Sequence, residues 1–151
     1  MLKHTHTILV VDDESTSLLM LEKVLRTSYT VITARSGAEA LDVLKREEIS
    51  LLITDQRMPG MTGTELLRES QSLRPGMVSM LLTSNNDTET FIDAITKAGA
   101  LRVINKPWDP ANLLSVVERS LKAYENFVDR KGSSDRLKLM REKLDKIAKP
   151  V

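Results

Sequence analysis

Five residues of this 151-residue chain have the types and placement to do phosphoryl chemistry: Asp12, Asp13, Asp55, Thr83 and Lys106. Asp55 stands where the apolar run Leu51-Leu52-Ile53-Thr54 breaks off into Gln56-Arg57-Met58-Pro59-Gly60. Such a run reads as a buried strand, and the Pro-Gly turn ends it. A carboxylate at that junction lies at the rim of a sheet, open to solvent and metal, and is a candidate nucleophile for a phosphoryl group. Asp12 and Asp13 end a second apolar run, and Thr83 and Lys106 follow two more. Three acids crowded into one crevice raise each other's pKa, and a divalent cation removes the conflict. Hard oxygen donors favour Mg2+ (or Mn2+) over zinc or copper. In this reading Asp13 and Asp55 are direct ligands and Asp12 acts through water. The backbone carbonyl of Arg57 completes the set. Lys106 is a mobile point charge that pairs first with Asp55 and then with a phosphoryl oxygen, and Thr83 offers a small hydroxyl to another. Positioning and charge neutralisation are what phosphoryl transfer asks of a protein.

The elements that would hold these residues alternate regularly. Strands are predicted over 7–11, 29–34, 49–54, 77–82 and 101–104. Helical spacing follows each one. Leu18, Leu21 and Leu25 recur after the first strand, and Ala38, Leu41 and Leu44 after Ser36, a candidate cap. Leu66, Leu67 and Leu73 come next, stopped by Arg74-Pro75-Gly76. Phe91, Ile95 and Ala98 follow the loop Asn85-Asn86-Asp87 and end at Gly99. Pro110 opens the last domain helix, which carries Leu114, Val117, Leu121, Tyr124 and Val128. Five strand–helix alternations predict a doubly wound five-stranded parallel sheet with helices on both faces. Right-handed crossovers leave few topologies, of which the order 2-1-3-4-5 is taken. Sites in such sheets form beyond the strand ends, where the first and third strands are neighbours.

Composition bounds the rest. At 41% hydrophobic and 28% charged the chain can bury a core, and its net charge of +1 gives no general case for nucleic-acid binding. No groove-reading motif is present either. Without cysteine there are no disulfides or thiolate metal sites. No apolar run approaches the roughly 18 residues of a membrane span, and the start resembles no signal peptide, so the expected place is the cytoplasm. Residues 1–128 are expected to form one domain. From Asp129 the chain carries eight basic residues against four acids, with Leu137, Met140, Leu144 and Ile147 at seam spacing. That segment, 129–151, reads as a charged helical linker or coiled-coil tail, with a homodimer through these helices as one outcome.

The ordered set Val11-Asp12-Asp13-Glu14, Asp55-Gln56-Arg57-Met58-Pro59-Gly60-Met61-Thr62-Gly63, Leu82-Thr83-Ser84 and Asn105-Lys106-Pro107-Trp108 resembles the receiver domain of bacterial two-component response regulators. The resemblance spans about residues 7 to 128. Each motif alone is weak, and their order and spacing together are specific. It implies a flavodoxin-like (βα)5 fold with an extra C-terminal helix. It also implies phosphorylation of Asp55 by a sensor histidine kinase or phosphotransfer protein, an output domain beyond this segment, and a cis peptide before Pro107. Arg57 and Asn85 flank the crevice as residues that modulate the phosphoryl group's lifetime, and Ser84, Val103 and Pro107 are expected to modulate the site beside them. Val103 departs from the family. The aromatic ring usual at that position swings inward as the hydroxyl residue moves, and valine has no ring to swing.

Taken singly, each site residue has a blander reading. Asp12 and Asp13 would pass for helix-capping acids, Thr83 for a strand-end hydroxyl, and Lys106 for a surface lysine. His4 and His6 sit in a chain start and carry no metal reading. Two other functions compete. A Mg2+-dependent phosphohydrolase of another α/β family would place its nucleophile after the first strand with a second acid two residues on, but here the pair is adjacent. A docking module that keeps the fold without the switch has Val103 in its favour. A flavin or nucleotide site lacks the Gly-rich loop after the first strand. The chain is therefore expected to be a signalling switch and not an enzyme, beyond gaining and losing its own phosphoryl group.

Overall fold

The computed structural model describes residues 6–84 and 102–126. The elements are β1 (Thr7–Val11), α1 (Ser15–Arg26), β2 (Thr30–Ala34), α2 (Gly37–Arg46), β3 (Leu51–Asp55), α3 (Gly63–Leu73), β4 (Val78–Thr83) and β5 (Arg102–Asn105). A further helix, α4, runs 110–126. The expected helix around Phe91, Ile95 and Ala98, the loop residue Asn85, Leu101, Val128 and the tail 129–151 lie outside the described residues.

All five strands are parallel and lie in the order β2-β1-β3-β4-β5, as the alternation predicted. The sequence of β1 shows why helices must cover both faces. Ile8 and Val10 belong to one buried cluster with Leu21 and Leu25 of α1 and Leu113 and Val117 of α4. Leu9 and Val11 point the other way, into a cluster with Val43 and Leu44 of α2 and Leu66 and Leu67 of α3. Successive strand residues face opposite sides, so a strand that is apolar at every position is stable only between two layers. Central β3 is buried at all five positions, Asp55 included. Each fully buried leucine or isoleucine there contributes about 2 kcal/mol. Edge strands β2 and β5 are more exposed, at Thr30, Arg102 and Asn105 among others.

Local chemistry sets the helix starts. Ser36 caps α2 by accepting the Glu39 N–H. Thr62 and Glu65 form a reciprocal capping box at α3, satisfying donors that the first turn cannot pair internally. The far end of α2 is closed from outside. Arg74 donates from Nε to the Leu44 carbonyl at 2.8 Å and from Nη2 to that of Glu47 at 2.8 Å. Near the chain start, His6 bridges Ser50 at 3.2 Å and Glu125 of α4 at 2.7 Å, an anchor the sequence reading did not anticipate.

Several core assignments differ from expectation. In α2 the buried residues are Gly37, Ala40, Val43 and Leu44, while Ala38 is exposed and Leu41 only partly covered. Leu44 is common to both sets, and the sheet selects Ala40 and Val43 beside it in place of Ala38 and Leu41. Leu73, at the end of α3, is 37% exposed and outside the core. In α4 the inward residue is Leu113, fully buried, with Leu114 partly covered beside it. Strands β3 and β4 run one residue further than predicted, taking Asp55 and Thr83 into the ladder.

Gly63 fixes how closely α3 can approach β3. A Cβ there would lie 2.3 Å from the Asp55 carbonyl oxygen and 2.7 Å from Leu81 Cδ1. Neither a backbone atom nor a fully buried leucine can yield that space. Gly63→Ala is therefore expected to destabilise the fold by roughly 1–3 kcal/mol, read from the midpoint of urea unfolding. An unchanged midpoint would mean that α3 sits further from the sheet than described.

Candidate functional site

The residues expected to carry chemistry converge because the backbone ladder runs on past the strands. Val11 of β1 pairs with Thr54 of β3, which puts Asp12 beside Asp55. The Asp12 N–H donates to the Ala34 carbonyl at 3.2 Å, and the Gln56 N–H to that of Leu82 at 2.9 Å. The Lys106 N–H donates to the Thr83 carbonyl at 2.8 Å. Each site residue thus sits at the last rung of a strand or, for Lys106, Asp12 and Asp13, one or two steps beyond it, where the chain turns away but position is still set by the sheet.

Asp12, Asp13 and Asp55 each offer a carboxylate oxygen, and these oxygens lie within 4.8 Å of one another. Asp12 is fully buried and Asp55 nearly so. The Lys106 ammonium faces two of the three, at 2.8 Å from Asp55 Oδ1 and 3.4 Å from Asp12 Oδ2. The remaining Asp12 oxygen accepts the Glu14 N–H at 3.0 Å, which fixes the turn into α1. Thr83 is buried at the end of β4, and Ser84 beyond it is exposed. Arg57 lies exposed in the loop between Asp55 and α3. The Lys106–Pro107 peptide is cis, as the resemblance implied.

The electrostatics follow from burial against pairing. Desolvation pushes the Asp12 carboxyl above its ordinary 3.8, and nearby Asp55 adds to the rise. The Glu14 N–H and the Lys106 charge oppose it without cancelling it. For Lys106 the largest single influence is burial, which lowers its pKa. Hydrogen bonding and charge attraction from Asp55, with Asp12 behind, together outweigh burial and leave the ammonium raised above 10.5. One ammonium against three carboxylates leaves a negative excess in a crevice built of oxygen donors. That donor set fits a hard divalent cation such as Mg2+ and offers no nitrogen or sulfur to a softer one.

The family model for the response regulator receiver domain matches residues 8–118. The chain belongs to this family. Among curated relatives, the hydrogenase transcriptional regulatory protein HoxA of Cupriavidus necator is 38% identical over 117 residues, which is 78% of this chain and 24% of HoxA. The transcriptional regulatory protein GlrR of Escherichia coli is 36% identical over 119 residues, 79% of this chain and 27% of GlrR. The chain thus spans about a quarter of the length of these relatives. Among solved structures, a CheY-like response regulator receiver domain protein from Methanospirillum hungatei superposes with a TM-score of 0.77 at 33% identity. It covers 80% of this chain and 97% of that one.

For a receiver domain, the placement of the departing residue matters. Val103 lies in β5, pairs with Leu81 of β4, and packs partly buried against the α2–α3 side of the sheet. Two neighbours of the crevice were missed in the sequence. Arg35, just past β2, reaches the Asp13 carbonyl from Nη2 at 3.4 Å. Its position after a strand end was the available signal, since the same rule had picked out Asp12 and Lys106. Gln56 was read only as part of the turn, yet its side chain pairs with Thr64 on α3. Nothing in local spacing announces that contact. Among the described residues, no helix is long and apolar enough to cross a membrane.

The charge imbalance sets opposite expectations for two substitutions. Because the folded pKa of Asp12 is raised, its contribution to stability is fully present below pH 3.8 and is lost as pH rises through the folded value. Above pH 3.8 the burial that disfavours charge on Asp12 therefore weighs against the metal-free fold. Asp12→Asn should therefore melt higher than the wild type at pH 7 without metal, with the advantage vanishing below pH 3.8. Lys106→Met leaves two carboxylates without their cation. The expected loss is roughly 2–3 kcal/mol, at or below the low end for a fully buried pair because the lysine side chain is 23% exposed. Thermal melts across pH check both signs.

Proposed function

We propose that this receiver domain is a phosphoacceptor switch in which Asp55 takes a phosphoryl group from a phosphohistidine. The donor is a sensor histidine kinase or a phosphotransfer protein. The observation that carries this reading is the Lys106 ammonium 2.8 Å from an Asp55 oxygen, inside a cluster of three carboxylates at the strand ends of a receiver fold.

In the proposed step a carboxylate oxygen of Asp55 attacks phosphorus. The phosphorus–nitrogen bond of the donor breaks, and its electron pair returns to the imidazole. The product is an acyl phosphate on Asp55, later lost to water. Asp13 and Asp55, with the Arg57 carbonyl, would hold Mg2+ or Mn2+ directly, and Asp12 through water. When bound, the cation neutralises charge on the transferring phosphoryl oxygens. Lys106 passes from the carboxylate to a phosphoryl oxygen, and Thr83 donates its hydroxyl to another. Ser84, Asn85 and the Arg57 side chain shape access of water to the acyl phosphate.

The phosphoryl group on Asp55 favours a second conformation by making contacts that the first does not offer, and that shift alters a partner contact. With Val103 in β5, the shift is carried without a swinging ring. The named relatives are transcriptional regulators of which this chain spans about a quarter, which supports an output domain joined to such a receiver. Kinase contact places the domain in the cytoplasm. The segment 129–151 serves as the linker to the output domain or as a dimerising segment. Beyond gaining and losing its own phosphoryl group, the domain catalyses nothing.

Incubation with a small-molecule phosphodonor and Mg2+ should add the mass of one phosphoryl group to the wild type and none to Asp55→Asn. Chelating the divalent cation should abolish the gain. A gain that persists in Asp55→Asn would place the acceptor elsewhere and sink this reading. A gain with no change in partner affinity would favour the docking-module reading that Val103 supports.

A further inference from the structure

We propose that Gln56 is a positioning residue of the site: its side chain staples the loop 57–62 to α3 and so sets the place of the Arg57 carbonyl for the cation. This rests on the phosphoacceptor reading and on the fit of the oxygen cluster to a hard divalent ion.

The staple is built from both the backbone and the side chain of one residue. Gln56 follows Asp55 directly, and its N–H is held by the Leu82 carbonyl of β4 at 2.9 Å. Its own carbonyl accepts the Gly63 N–H at 2.9 Å. Its side-chain Oε1 accepts the Thr64 N–H at 2.9 Å, and Nε2 donates to Thr64 Oγ1 at 3.3 Å. Thr64 Oγ1 in turn lies 3.2 Å from Thr62 Oγ1, the cap of α3. Three bonds therefore close the loop 57–62 across its neck.

The first four N–H groups of a helix have no partner within it. At α3 the Glu65 N–H goes to the Thr62 cap, and those of Gly63 and Thr64 both go to Gln56. A helix end is thus bonded to the residue beside the proposed phosphoacceptor. Gly63 adds a second restraint from the other side, since its missing Cβ lets α3 rest on the Asp55 carbonyl. The Arg57 carbonyl is one residue on from the stapled Gln56, so holding Gln56 on both sides narrows the positions that carbonyl can take. An apolar side chain at 56 leaves the Thr64 N–H half-buried without its acceptor, and the neck of the loop is then held by one bond instead of three. Groups that orient a ligand without touching the ion typically change metal affinity by 10–100-fold.

The test is Mn2+ affinity of the full chain, measured by electron paramagnetic resonance of free Mn2+, for the wild type, Gln56→Met and Ser36→Ala. Ser36→Ala removes the cap of α2, so it lowers stability while leaving all three bonds of the loop's neck in place. The expected result is a dissociation constant raised roughly tenfold in Gln56→Met and unchanged in Ser36→Ala, although both melt lower. Thr64→Val keeps the bond from the Thr64 N–H and loses only the hydroxyl, so a smaller rise is expected. That variant also decides the matter by the same criterion if Gln56→Met does not fold. Wild-type affinity in Gln56→Met, or an equal loss in Ser36→Ala, overturns the proposal and leaves the phosphoacceptor reading standing. Absence of Mn2+ binding by the wild type itself overturns both.

Discussion

One ammonium set against a cluster of carboxylates is the constraint on which the rest of this structure depends. Lys106 touches Asp55 at 2.8 Å and Asp12 at 3.4 Å, and Asp13 completes a group with more negative charge than the lysine can balance. A buried carboxylate is expensive to ionise unless it is paired or hydrogen-bonded. The fold keeps such a group only because the surrounding layers hold it in place. The charge that is left over is what makes the crevice receptive to a cation. Stability and receptiveness pull against each other at the same atoms.

The layers that hold the cluster are unusually plain. Aliphatic side chains fill both faces of the sheet, and β3 is buried along its whole length. A strand that cannot shift register without exposing leucine or isoleucine gives its last residue a fixed address. Asp55 is that residue. Close contact by α3, possible only with glycine at 63, then fixes the loop on its far side. Thr83 and Lys106 are joined by a backbone bond at the ends of β4 and β5. The positions of these two strand ends are therefore tied to each other. With valine at 103, such coupling is left to backbone and packing.

Much of the fold was legible because its signal is local and repeated. Apolar runs of strand length alternate with helical spacing five times, and only a parallel sheet covered on both faces absorbs that pattern. The candidate site was legible for the same reason. Strand ends in such a sheet share one rim, so residues 12, 13, 55, 83 and 106 could be gathered without coordinates. What failed were choices between equivalent local patterns. Ala38 and Leu41 have the same helical spacing as Ala40 and Val43, and only contact with the sheet separates them. Leu113 and Leu114 are adjacent, and only the crossing of α4 over the sheet decides which one turns inward. His6 with Glu125, and Arg35 with Asp13, join residues 119 and 22 positions apart. No periodicity encodes such pairs.

By itself the sequence determined the strand–helix alternation, the two-sided sheet and the identity of the residues at its rim, because side-chain period and turn chemistry act within a few residues. Tertiary structure alone decided that Lys106 also reaches Asp12, how deeply Asp12 is buried, and how Gln56 ties the acceptor loop to α3. Those outcomes depend on distances between segments far apart in the chain, and such distances are set only when both faces of the sheet are packed.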